Sequence, residues 1–290
     1  MSTTRIVRRL LAGTALLAGA SAALAQPLSV EVYNPGKSAI FPVTSTLISG
    51  EHDAILVDAQ FSTREAQALV ERIQASGKKL TTIFISHGDP DFYFGLDTLT
   101  RAFPEARVLA TAATVAHIEQ TRAPKLAYWG PILKDSAPQR TQVPDVLQGD
   151  SLTLEGQSLQ VIGQDPEHTS LWIPSIKTVV GGVLSYANIH PWIADTQSLE
   201  ARQSWLKSLD QLEALQPAML IPGHYLGEAK LNLDDLRFTR DYLLTLEAEL
   251  PKAKDSQSLI AAMQAKYPAL LDASSLELSA KVLKGEMQWP

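Results

Sequence analysis

The stretch His87-Gly88-Asp89-Pro90-Asp91 holds the residues of this chain best suited to chemistry. It follows Thr81-Thr82-Ile83-Phe84-Ile85, which reads as a short, β-branched, buried strand. In an extended loop, residues two apart point the same way, so one imidazole and two carboxylates can be turned toward one point. Two carboxylates held that close repel each other unless a cation lies between them. A plainer reading fits the same residues: an Asp-Pro turn with Asp91 capping the next helix. Two more histidines sit in comparable loops, His168 in Asp165-Pro166-Glu167-His168-Thr169 and His224 in Ile221-Pro222-Gly223-His224-Tyr225. Either alone suits an ordinary loop histidine. Together with His87 they weigh toward a metal, because neutral imidazole is the commonest metal ligand. The chain has 0 Cys, so thiolate zinc, an iron–sulfur cluster and a Cys nucleophile are excluded. Any metal must be held by His and carboxylate.

The elements that must position these groups alternate in kind. Leu28 to Tyr33, Thr44 to Ser49 and Ala54 to Asp58 read as strands. Ser62-Thr63-Arg64-Glu65 is a capping box opening a helix that ends at Gly77. A helix is expected from Phe92 to about Phe103, a strand at Val108 to Ala110 and a helix over Ala112 to Gln120. Ala123 to Leu147 reads as a long surface loop, lining a pocket. The second half repeats the logic: strands at Leu152 to Leu154, Leu159 to Ile162, Leu171 to Ile173 and Thr178 to Leu184. A helix from Leu199 to Leu215, a strand at Ala218 to Ile221 and a helical tail beyond Leu231 follow. Strands and helices alternating through two halves predict an α/β layered protein with sheet at the centre. No linker divides the chain into two independent domains.

Residues 1–25 read as an address. Arg5, Arg8 and Arg9 precede an apolar run that closes on Ala23-Leu24-Ala25, the layout of a secretory signal peptide. This predicts a secreted or periplasmic protein with no stable membrane span after cleavage. Losing three arginines and no acid takes the net charge from −6 to −9. So acidic a chain is a poor partner for nucleic acid, and a small-molecule substrate is expected.

The order of these motifs resembles the metallo-β-lactamase superfamily: Leu56-Val57-Asp58, then His87-Gly88-Asp89-Pro90-Asp91-Phe92, then His168, Gly181-Gly182 and Pro222-Gly223-His224. The resemblance implies a four-layer αββα sandwich over residues 26–230, with a helical C-terminal extension over 231–290 packed on the same domain. It also exposes departures. Asp89 stands where the family has its second His, Phe92 where it has a third, and Gly182 where many members carry a bridging Asp. By carry-over, His87, Asp89 and His168 form a first metal site, and only Asp91 and His224 remain for a second. Two His and one carboxylate complete a protein ligand set for one catalytic zinc, and also suit iron or manganese. The implied function is metal-assisted hydrolysis of an ester, lactone or lactam, with Asp91 and His224 acting on the metal-bound water or sharing the ion. Asp58 is implied as a support for the ligands. The alternative is a periplasmic binding protein that kept the fold and lost the two-metal chemistry. A redox role, suggested by a carboxylate shared with the flavodiiron branch, ranks last, since that branch keeps the two residues missing here. His190 is more consistent with a packed loop than with a replacement ligand. His52 in a hairpin turn and His117 in a helix read as structural or solvated.

Overall fold

The structure, a computed structural model, describes residues 26–163, 165 and 168–289. The expected signal peptide therefore lies outside the described residues. Among the described residues no helix is long and apolar enough to cross a membrane.

The first sheet opens with β1 (Ser29–Tyr33), β2 (Ser45–Ser49) and β3 (Asp53–Val57), paired antiparallel in order. β4 (Lys79–Ile85), β5 (Arg107–Ala110) and β6 (Asp145–Val146) then add on in parallel. The second sheet contains β7 (Ser151–Leu154), β8 (Gln157–Ile162), β9 (Ser170–Ile173) and β10 (Thr178–Val180). A short pair, β11 (Tyr186–Ala187) with β13 (His224–Tyr225), lies apart, and β12 (Met219–Leu220) extends the second sheet beside β10.

Strand alternation explains why the sheets stack. Ile55, Val57 and Phe84 face inward and meet Leu171, Ile173 and Val180 of the other sheet in one buried cluster. Ala54, Leu56, Ile83 and Ile85 face outward, under helices α1 (Thr63–Ser76), α2 (Pro90–Tyr93), α3 (Leu96–Ala102) and α4 (Ala112–Leu133). Trp172 and Val179, on the outer face of the second sheet, share a third cluster with residues of α5 (Leu199–Ala214) and of the helices after it. Those are α6 (Leu233–Glu249), α7 (Ser256–Lys266) and α8 (Ala273–Leu283), which bring Leu236, Tyr242, Met263 and Leu276. Strands buried on both faces read as continuous apolar runs, as Ala54-Ile55-Leu56-Val57 does. The result is an αββα sandwich.

Helix α1 begins as its sequence predicts. Ser62 and Glu65 form the reciprocal capping box, and Gly77 closes the helix in the left-handed conformation at φ 66°. The expected loop over Ala123 to Leu147 is corrected: α4 runs 22 residues to Leu133 and carries Pro124 and Pro131 inside it. Its N-terminus is capped by Thr111, whose hydroxyl accepts from the Thr114 N–H at 3.1 Å. The helix expected over Phe92 to Phe103 is broken into α2 and α3 around Phe94-Gly95.

Candidate functional site

The site gathers where the parallel strands β3 and β4 end, the edge at which α/β sheets commonly place ligand residues. Immediately after β3, Asp58 adopts a left-handed conformation at φ 64°. Its fully buried carboxylate accepts from the Ser86 N–H at 2.8 Å and the Ser86 hydroxyl at 2.7 Å. The Ser86 hydroxyl in turn accepts from the Gly182 N–H at 2.7 Å, and the Ser86 carbonyl accepts from the Thr169 hydroxyl at 3.0 Å. One carboxylate thus ties the strand end before His87 to the segments that carry His168 and Gly182. Burial pushes the Asp58 carboxyl up to about 7, against the lowering effect of its two bonds from Ser86.

Beyond Ser86, the sequence-selected residues fall into pairs. His87 Nε2 lies 3.0 Å from Asp89 Oδ2. The Asp91 carboxylate accepts from His224 Nε2 at 2.7 Å, and both side chains are more than nine-tenths buried. An ionised carboxylate only accepts, so the His224 proton belongs on Nε2. His224 Nδ1 is buried with no hydrogen-bond partner among the described residues. The His168 ring lies against the His87 ring, centroids 5.0 Å apart, while its Nδ1 is 2.7 Å from Asp165 Oδ2. That carboxylate orients the imidazole and leaves Nε2 for another partner, the arrangement seen behind metal-ligating histidines.

Phe92 stands between the pairs. Its ring meets His87 at 5.2 Å and His224 at 5.4 Å, edge-on to both. Lys125 of α4 supplies a cation that sequence reasoning missed. Its ammonium contacts Asp89 Oδ1 and lies 3.3 Å from His117 Nε2. Burial alone would raise the Asp89 carboxyl, but His87 and Lys125 outweigh it and hold it well below the usual carboxylate range. His117, read from the sequence as structural or solvated, is half-buried and lines the same cavity as Asp89.

That cavity has a volume of about 500 Å³. Asp89, Asp91 and His224 form one wall, and His117, Lys125, Tyr128 and Trp129 of α4 another. Further wall comes from the loop after β11, through Trp192 and Asp195, and from the C-terminal segment, through Trp289. Asp195, like Lys125, is a wall residue that sequence reasoning did not connect to a defined partner. His190 lies behind this wall, buried, with Nδ1 2.9 Å from the Tyr242 hydroxyl. It is a packed residue rather than a site group, whereas Trp192 is only half-buried and reaches the cavity.

A family model for the metallo-beta-lactamase superfamily matches residues 39–224. The chain belongs to this superfamily. Solved relatives share the fold at low identity. One is a metallo-beta-lactamase family protein of Thermus thermophilus, 20% identical, TM-score 0.61, covering 88% of this chain and 92% of its own. Another is a beta-lactamase domain protein of Burkholderia ambifaria, 15% identical, TM-score 0.61, covering 88% and 84%. The DIM-1 metallo-beta-lactamase is 18% identical, TM-score 0.52, covering 77% and 99%. A stretch of 71 residues is 32% identical to YobT of Bacillus subtilis (strain 168), an uncharacterised protein; it spans 24% of this chain and 30% of YobT.

Members of the metallo-beta-lactamase superfamily generally bind divalent metal ions, so the donors here can be tested against that chemistry. A two-metal centre does not fit. Phe92 fills the space between the two pairs, and Gly182 cannot accept a bridging carboxylate. Gly182 sits at φ 83°, and a Cβ there would lie 2.2 Å from the Thr169 carbonyl oxygen. Gly223 is equally constrained, since its Cβ would lie 1.9 Å from the Gly182 carbonyl oxygen. The backbone around residue 182 therefore excludes a side chain there. The donors that remain, His87, Asp89 and His168, are of the kinds that hold zinc. Among the described residues no three His, Asp or Glu side chains are gathered around one point. An ion on Asp89 must also take that carboxylate over from Lys125.

Proposed function

We propose that this protein is a hydrolase exported from the cytoplasm, acting on an ester, lactone or lactam with the help of one divalent ion, zinc by preference. His87, Asp89 and His168 would hold the ion, His168 being kept in orientation by Asp165. When bound, such an ion supplies a polarised carbonyl and a water acidified to near neutrality. The observation that carries the reading is the Asp91–His224 pair in the wall of a large apolar cavity. In that setting Asp91 accepts the proton of the attacking water, and His224 holds Asp91 in place through its Nε2–H. The aromatic wall takes up the apolar part of the substrate and excludes bulk water, which strengthens every charge interaction inside.

The test is turnover of a panel of esters, lactones and lactams by the mature protein, before and after treatment with a chelator. Hydrolysis that chelation removes and added zinc restores is the expected result. Hydrolysis indifferent to chelation would refute the role of the ion. A second reading has one observation in its favour: the Lys125 ammonium already neutralises Asp89, as the counter-ion of a site that only binds would do. On that reading the protein turns nothing over, retains no metal, and still gains melting temperature with ligand.

A further inference from the structure

Five aromatic side chains of the cavity form a closed circuit. Phe41 meets Trp129 at 5.3 Å, Trp129 meets Tyr128 at 4.9 Å, and Tyr128 meets Trp289 at 6.5 Å. Trp289 then meets Trp192 at 5.3 Å, and Trp192 returns to Phe41 at 6.1 Å. Each of these contacts is edge-on, with interplanar angles between 71° and 88°. A ring's edge is electropositive and its face electronegative, so each edge-to-face contact sets one ring's edge on one face of its neighbour and turns the two rings out of a common plane. The five residues come from the loop before β2, from α4, from the loop after β11 and from the C-terminal segment. All five line the same cavity.

One carboxylate is fixed within the circuit. Both oxygens of Asp195 accept indole N–H groups, Oδ2 from Trp192 and Oδ1 from Trp289 at 2.8 Å. Asp195 is itself exposed and lines the cavity beside the two indoles. Its bonds hold two walls of the circuit together. Asp89, Asp91 and Asp272 line the same space. Among the described residues that line it, Lys125 is the single ammonium against these four carboxylates, and His117 and His224 are the titratable imidazoles. The cavity therefore carries more negative than positive charge behind an apolar, aromatic surface.

Aromatic rings gathered around a carboxylate suit an alkylated ammonium, whose charge is spread over methyl groups and is weakly hydrated. A metal ion or a primary ammonium is more strongly hydrated and gives up more of its water to reach the rings. We propose that the cavity recognises an organic cation, an alkylammonium or quaternary ammonium group of the substrate, seated among Trp192, Trp289, Tyr128, Trp129 and Phe41 with Asp195 as its counter-ion. Its standing as the substrate's own group rests on the hydrolase reading, but its binding does not. The cavity volume leaves space beside the ammonium for an apolar chain or acyl group reaching toward Asp91.

The test compares choline with its uncharged isostere 3,3-dimethylbutan-1-ol by calorimetry and tryptophan fluorescence on the mature protein, freed of metal by chelation and again after zinc addition. Choline should bind about tenfold more tightly than the isostere, with or without zinc. Asp195→Asn and Trp289→Leu should each remove most of that preference. Equal binding of the two probes, or binding of neither, overturns the inference. Should a variant fail to fold, the wild-type comparison alone decides. The failures are separable: choline selectivity without turnover of any ester defeats the hydrolase reading only. Chelator-sensitive turnover of neutral esters without choline selectivity defeats the cation only.

Discussion

Replacing Asp91 by Asn, or His224 by Ala, should cut kcat/KM on a substrate found in the ester and lactone panel by roughly 10²- to 10⁴-fold, the usual worth of a positioned proton acceptor. Most of the loss should fall on kcat, with KM within a few-fold, because neither residue belongs to the aromatic walls. The two residues act as one unit: the carboxylate is buried, and its Oδ2 has the His224 N–H as partner. The double variant should therefore be scarcely worse than the poorer single one. Additive losses would mean two independent roles, and unchanged kcat in both single variants would remove the pair from catalysis. Melting curves are needed beside the kinetics. His224→Ala deletes a ring stacked on Tyr186 at 5.3 Å, whereas Asp91→Asn keeps the shape.

The largest stability effect is expected at Asp58. Asp58→Ala leaves the buried Ser86 N–H without its acceptor and frees the Ser86 hydroxyl that also receives the Gly182 N–H. Stranded buried donors of this kind cost about 2–4 kcal/mol, or about 5–15 °C in Tm for a chain of this size. The pH dependence has a definite sign. The folded carboxyl titrates at about 7, above the ordinary aspartate value, so the folded state binds this proton more tightly than the unfolded one. Its contribution is complete below about pH 4 and is lost as pH rises through 7. Asp58→Asn cannot titrate, so urea denaturation at pH 5 and pH 8 should show a smaller drop in the variant than in the wild type. An equal drop would mean that Asp58 does not control this part of the stability curve.

Both effects trace to residues that the sequence displays openly. Asp58 closes an apolar strand, and the spacing of His87, Asp89 and Asp91 behind another strand is itself a signal. The αββα layering follows from runs such as Ala54-Ile55-Leu56-Val57, which have an apolar residue for each face. What stays hidden has physical reasons. Helix α4 presents His117, Thr121, Lys125 and Tyr128 to the cavity at helical spacing, yet Pro124, Gly130 and Pro131 read as breakers. With that segment read as a loop, Lys125 has no face and no reason to meet Asp89. Asp195 and Trp289 lie 94 positions apart, and nothing in either local sequence announces a bond between them. The pairing of Asp91 with His224 spans 133 positions, and only the superfamily pattern links them in the sequence.

The departures from that pattern also form one coherent change. Gly182 leaves no space for a bridging side chain, Phe92 separates the two pairs, and Lys125 balances the carboxylate that replaces a neutral imidazole. On the proposed single-ion reading, an ion must compete with the Lys125 ammonium for Asp89.

The most direct measurement is the number of metal ions bound per chain, by mass spectrometry, on mature protein purified without chelators beside His168→Ala and Lys125→Met. About one ion per chain is expected in the wild type, with loss of it in His168→Ala and tighter retention in Lys125→Met, where no ammonium competes for Asp89. Absence of any ion in all three proteins, even after incubation with zinc, would contradict the single-ion reading and leave a fold that binds without metal chemistry.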